Sequence, residues 1–284
     1  MRYRLAPFVV GSYEAQAERM DHELAHLVEA YFDDGGTAGI MGPEPALHRV
    51  IPAQAAVKSE WVLPYDDVRA ILLNSKTFHV RDCICRIQQD HLGHKCRFPV
   101  TMCLSFSALG RPPAPGDISR EDALAVLDRA EEVGLVHTVS NVAEGIGYVC
   151  NCCGCCCGVL RTIKKHPRPA EFVSSPFRAS LDGATCTDCG VCLTRCPMDA
   201  LHRAQDGSVK LNPDRCIGCG LCVSTCTERS LVLIRKPEAE QREVPATFTK
   251  TYIGMARERG KLKPSKLAKA WVRTKIKAKS GPRP

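Results

Sequence analysis

Apolar positions in the first third of the chain follow a helical period before any composition is considered. Met20, Leu24, Leu27, Val28 and Tyr31 recur at that spacing and Gly35-Gly36 follows them. The pattern predicts an amphipathic helix over residues 12–33, its stripe facing a core and its end set by the glycine pair. Residues 47–80 mix short apolar runs with Pro52 and Pro64, and DDVRAILLNSKTFHV then reads as one helix entering a strand. His48 and His79 fall there as packing or surface residues. A second helix is expected over 119–132, with Ser119 capping its start, Gly134 stopping it, and Leu124, Leu127 and Val133 forming its apolar face. RPPAPGD and HPRPAEFVSSP read as surface connectors, the latter marking a boundary near residue 170. After Pro264, SKLAKAWVRTKIKAK predicts a helix capped by Ser265, with Leu267, Ala268, Trp271, Val272 and Ile276 on one side and lysines on the other.

Composition changes this ordinary picture at one residue type. The chain has 284 residues, 44% hydrophobic and 25% charged, enough for about two domains and unlike collagen-like, disordered or multi-spanning membrane sequences. Cysteine is the exception, with 18 residues, all between Cys83 and Cys226. The start MRYRLAPFVVGSYEAQ has too short an apolar stretch for a signal peptide, and no run has the length of a membrane span. Reduced thiols in a cytoplasm, used as metal ligands, are therefore expected. The net charge of +8 is equally uneven: residues 250–284 hold 12 Lys and Arg against the single Glu258, so the rest of the chain is mildly acidic.

The clearest signal is an internal repeat. Cys186-x2-Cys189-x2-Cys192-x3-Cys196-Pro197 returns 30 residues later as Cys216-x2-Cys219-x2-Cys222-x3-Cys226, with Gly190 matching Gly220 and Leu201 matching Leu231. Three closely spaced thiolates can wrap one face of an iron–sulfur cubane, and the fourth ligand must come from elsewhere. Paired CxxC also binds tetrahedral zinc, which leaves the third and fourth cysteines of each run unexplained. Residues 178–236 resemble the bacterial two-cluster ferredoxin module. That resemblance implies an exchanged ligand set, with one 4Fe-4S cluster on Cys186, Cys189, Cys192 and Cys226 and a second on Cys216, Cys219, Cys222 and Cys196. Thr227 departs from the family's proline and removes no ligand. His202 and Arg203 follow the first run, either raising its potential or serving as exposed turn residues.

Ten cysteines lie upstream: Cys83, Cys85, Cys96 and Cys103, then Cys150, Cys152, Cys153, Cys155, Cys156 and Cys157. VRDCICR, GLVHTVSN, CNCCGCCCGVLR and the module together resemble a family of 4Fe-4S dicluster proteins from anaerobic metabolism, over most of residues 1–236. Relatives in it begin with a winged-helix-like segment, and the chain ahead of YRLAPFVV is too short to contain all of one. A cluster accepts about four cysteine ligands, so CNCCGCCC cannot place six thiolates on one cubane. Adjacent residues in extended chain point to opposite sides, so Cys152 and Cys153, or Cys155 and Cys156, should face different centres or one metal and one core. Gly154 and Gly158 allow the backbone to curl tightly. The two groups are expected to meet and hold one or two further iron–sulfur clusters; the alternatives are a zinc ion on Cys83, Cys85, Cys96 and His94, or inert buried thiols.

The expected fold class is α+β. It comprises an N-terminal mixed segment (1–82), a cysteine-rich domain (83–170), a two-cluster ferredoxin-like module with a βαβ-type repeat (178–236) and a basic helical tail (245–284). CxxCH, GxxxxGK[ST], GxGxxG and GxSxG are all absent, and Asp117, Glu121, Asp122 and Asp128 do not single out a general acid or base. The function expected is electron transfer, as a carrier or as the relay subunit of a larger oxidoreductase docking redox partners through the basic tail. Peripheral membrane contact is compatible with that tail, and nucleic acid is not the expected partner. A redox- or iron-responsive regulator and an enzyme with an unusual cluster at CNCCGCCC are the alternatives.

Overall fold

The computed structural model describes residues 11–36, 44–57 and 62–260. The helix expected over 265–279 lies outside them. Five antiparallel strands, β1 (His48–Ile51), β2 (Thr77–Asp82), β3 (Thr101–Ser107), β4 (Val136–Ser140) and β5 (Tyr148–Cys152), form one sheet in the order β1-β4-β5-β3-β2. Its two faces follow from the strand period of two. Ile51, Phe78, Leu104, Phe106, Val139 and Val149 pack one apolar face against Ala123 and Leu127. His48, Val50, Val136 and Thr138 alternate with that set, as do Cys103, Cys150 and Cys152. One sheet face thus builds the core and the other presents thiols.

The helix on the apolar face is α4 (Arg120–Val133). It follows α1 (His22–Tyr31), α2 (Val68–Leu73) and α3 (Ile84–His91) in the chain. Ser119 and Asp122 form a reciprocal capping box at its start, and Gly134 ends it at φ 93°. DDVRAILLNSKTFHV folds as expected, α2 running into β2. The helix expected over 12–33 is broken instead: a 3-10 turn, Glu14–Arg19, is followed by α1, because the Asp21 carboxylate accepts the Leu24 N–H at 2.8 Å and starts a new helix. The break shifts the buried face, so Met20, Ala25 and Val28 pack while Leu27 and Tyr31 are exposed.

HPRPAEFVSSP is not a surface connector throughout. Val173 and Ser174 are buried, and Ser174 exchanges backbone hydrogen bonds with β1, accepting from Val50 at 3.0 Å and donating to His48 at 3.2 Å. Helix α5 (Gly158–Lys164) precedes it. Glu29 Oε2 accepts from Gln88 and Gln89 of α3 and from Arg161 of α5 at 2.9, 3.0 and 2.7 Å, tying α1, α3 and α5 together.

Residues 177–235 contain β6 (Phe177–Leu181), α6 (Val191–Arg195), β7 (Leu201–Arg203), β8 (Val209–Leu211) and β9 (Leu231–Arg235). Strand β6 pairs with β9 and β7 with β8, both antiparallel. The last described helix, α7 (Phe248–Glu258), is docked: Ala143 and Glu144 donate backbone N–H groups to Pro245 and Ala246, and Thr251 and Met255 are buried. Among the described residues no helix is long and apolar enough to cross a membrane.

Candidate metal centres

The repeat is visible in the backbone. Asp188 and Gly218, Gly190 and Gly220, and Asp199 and Arg229 all have positive φ, each pair 30 positions apart. Left-handed turns at matched positions curl both runs and direct N–H groups inward. Two enclosed cavities result. One is lined by Cys186, Cys189, Cys192 and Cys226, with Leu181, Val209 and Leu231. The other is lined by Cys216, Cys219, Cys222 and Cys196, with Met198, Leu201 and Leu211. Each run thus contributes three cysteines to one cavity and its fourth to the other.

The donor set fits a cationic core. Burial raises the thiol pKa values of Cys192, Cys216, Cys219 and Cys222, so these sulfurs are costly to ionise without a metal beside them. Backbone N–H groups are aimed at sulfur, Ala179 donating to Cys216 at 3.3 Å and Ala200 to Cys196 at 3.2 Å. His202 and Arg203 are exposed on β7, where Arg203 donates to the Gly207 and Asp188 carbonyls.

The upstream groups meet, and they divide in a way the sequence does not show. Cys96, Cys153, Cys155 and Cys156 have all four Sγ atoms within 4.8 Å of one another. The Cys96–Cys153, Cys96–Cys155 and Cys155–Cys156 separations are 3.8, 3.7 and 3.7 Å. The other six thiols form a closed loop of pairwise interactions, Cys83 to Cys103 to Cys150 to Cys152 to Cys157 to Cys85 and back to Cys83. They surround a second kind of cavity, also lined by Tyr13, Phe32, His48 and Thr138. Cys152 and Cys153 therefore face different groups, as alternation requires, whereas Cys155 and Cys156 share one. The combination of Cys83, Cys85, Cys96 and His94 does not assemble, because Cys96 belongs with the CGCC turn and not with Cys83 and Cys85.

Two further residues lie at this site: His48, which the sequence suggests only as a packing or surface residue, and Arg86. His48 is 3% exposed, and neither ring nitrogen has a hydrogen-bond partner among the described residues. Burial lowers its pKa to about 4, so the imidazole is neutral at pH 7. Arg86 is buried, and only Nη2 is used, donating to the Asn151 carbonyl at 2.8 Å. Burial alone would lower the Arg86 pKa, but the thiolates of Cys83, Cys153, Cys152 and Cys96 outweigh this and raise it. The guanidinium is thus a positive charge shared by the loop and the four-thiol cluster. No local signal marks His48, which is recognisable only from the register of β1; Arg86 was visible only as the last letter of CICR.

Behind β5, His137 of GLVHTVSN links Asn151 Oδ1 at 2.6 Å to Glu131 Oε1 at 3.2 Å, and Asn151 donates to the Met102 carbonyl at 2.6 Å. These bonds hold the cysteine strand in register. At the turn, a Cβ on Gly154 would lie 2.5 Å from the Pro197 carbonyl oxygen, so only glycine lets CGCC approach the residue after Cys196. Gly154→Ala is expected to cost about 1–3 kcal/mol by overpacking, read as a lower urea midpoint, and to increase alkylation of the exposed Cys155.

No curated protein matches the chain. Residues 178–227 match the family model of the 4Fe-4S dicluster domain, a span that includes all eight cysteines of the repeat. Matched spacing, matched left-handed turns and paired thiol-lined cavities agree with it, and this segment of the chain is a 4Fe-4S-binding domain of the ferredoxin type.

Proposed function

We infer that the protein is an electron carrier or the relay subunit of a larger oxidoreductase, its ferredoxin-like module holding two 4Fe-4S clusters. Cys186, Cys189, Cys192 and Cys226 hold the first, and Cys216, Cys219, Cys222 and Cys196 the second. The single observation carrying this reading is the exchange of the fourth cysteine between two separate apolar cavities. A bound cluster supplies reversible one-electron storage. The chain supplies the thiolates, the N–H groups of Ala179 and Ala200 on sulfur, and apolar walls that keep water away. With four thiolates per cluster no coordination position remains for a substrate, which favours transfer over catalysis.

An order of stations is supported by packing. Cys152 and Cys157 of the upstream loop share one apolar cluster with Met198, Ile217 and Leu221, and Cys196 and Cys219 pack against it. The second module cavity therefore adjoins the upstream thiols, and the first adjoins the second through Cys196 and Val223. Redox partners approach the far end or dock through the basic segment 245–284. Cys226→Ser tests the exchange directly. It is expected to remove about four irons and to spare the EPR signal of the cluster on Cys216, Cys219 and Cys222, although Cys226 belongs to their run. Loss of that signal instead would sink the reading.

A further inference from the structure

We propose that Cys83, Cys85, Cys103, Cys150, Cys152 and Cys157 together hold one polynuclear iron–sulfur core larger than a cubane, separate from a mononuclear zinc ion on Cys96, Cys153, Cys155 and Cys156. The proposal extends the iron–sulfur reading of the module to residues outside the matched domain.

The contact pattern carries the first half. Each of the six thiols interacts with two others, and the loop closes on itself around the cavity they line. Six thiolates on two zinc ions would need two bridging sulfurs in contact with each other and with the four terminal ones, a collapsed cluster without a middle. The loop here has a middle, and the cavity it surrounds is mostly apolar apart from the thiols, His48, Tyr13, Glu14, Thr138 and Asn151. A cubane accepts about four thiolates, so six sulfurs around one cavity call for more irons and inorganic sulfides than a cubane contains.

Two independent observations point to the same occupant. The His48 imidazole lines the cavity with both nitrogens unpartnered, and buried polar groups left that way are costly. Arg86 keeps Nε and Nη1 unpartnered among the described residues and beside thiolates. A sulfide-bearing anionic core satisfies both, accepting an N–H from the imidazole and offsetting the guanidinium charge.

The Sγ spacings carry the second half. Four sulfurs about 2.3 Å from one zinc ion stand about 3.8 Å apart in a tetrahedron, matching the 3.7 and 3.8 Å separations here. The ligands of a cubane stand wider, because each binds a different iron. Cys96, Cys153, Cys155 and Cys156 thus have the spacing for a single ion and are too close for a cluster.

Metal and sulfide analysis of the anaerobically purified full chain tests both halves. Zinc is expected at about one per chain and iron above the roughly twelve of three cubanes, with acid-labile sulfide in parallel. Cys155→Ser should remove the zinc and leave all the iron. Cys103→Ala with Cys150→Ala should bring iron down to about eight and leave both the zinc and the module's EPR signals, which report that the variant is folded. Iron of about eight or about twelve in the unaltered chain overturns the six-thiol core while leaving the module reading intact, and so does zinc at about three. Iron in place of zinc, lost with Cys155→Ser, overturns the zinc assignment. Absence of the module's EPR signals with excess iron retained would instead defeat the function proposed above and leave this assignment standing.

Discussion

Arg49→Met is expected to lower the unfolding free energy by about 3–5 kcal/mol. Arg49 and Asp66 are both fully buried, with Nε 3.4 Å from Oδ1. Arg49 Nη2 also donates to the carbonyls of Tyr65 and Val142 at 2.6 and 3.1 Å, and the guanidinium lies over the Tyr65 ring. Burial lowers the Arg49 pKa and raises that of Asp66, each against the attraction of its partner. Removing the arginine would leave the buried Asp66 carboxylate with only the weaker attraction of Arg235, which costs more than the pair contributes. Chemical denaturation of the metal-loaded protein measures the loss. Arg49→Met combined with Asp66→Leu should recover most of it, because two apolar side chains leave no buried charge. A single variant as stable as the parent would show that the pair is dispensable. The consequence reaches the thiols: Arg49 follows His48 in β1, and a loosened β1 would release the imidazole that lines the six-thiol cavity.

Gly218→Ala has the second large expected effect. Gly218 lies between Cys216 and Cys219 at φ 71°, and a Cβ there would be 2.3 Å from the Phe177 carbonyl oxygen and 2.4 Å from Ser175 Oγ. The left-handed conformation alone costs a non-glycine residue roughly 1–2 kcal/mol, and relieving the contact with backbone adds a further ~1–3 kcal/mol. Either the strand start at Phe177 moves or the turn opens, and both displace Cys216 and Cys219 from their shared cavity. The expected result is loss of about four irons with the EPR signal of the Cys186, Cys189 and Cys192 site retained. The repeat supplies an internal control, since Asp188 occupies the matching position at φ 53°. Its carboxylate accepts the Val209 N–H at 2.6 Å, a contact that no close backbone precludes. Unchanged iron content in Gly218→Ala would show that the turn tolerates the methyl group.

Local rules were legible wherever the deciding partner lay within a few residues. The Ser119 capping box, the Gly134 stop and the α2-to-β2 passage all depend on neighbours close in sequence. Apolar spacing predicts one helix over 12–33 because it says nothing of a polar side chain that competes for backbone N–H groups, as Asp21 does. HPRPAEFVSSP reads as a connector for a different reason. Its prolines and serines describe a chain without regular structure, but Ser174 finds its hydrogen bonds on β1, over a hundred residues away.

The same boundary runs through the metal centres. The repeat, the identity of its eight thiols and the need for more than one centre in CNCCGCCC can all be read along the chain, because cluster ligation requires cysteines at short, fixed offsets. How the ten upstream cysteines divide depends on contacts that the fold creates between distant segments. Cys96 joins Cys153, Cys155 and Cys156, while Cys103 joins Cys150 and Cys152 across the paired strands β3 and β5. Strand alternation indicates that neighbouring side chains separate, but not which distant residue each will meet. That depends on sheet order and register, and so does the arrival of His48 and Arg86 at the thiols.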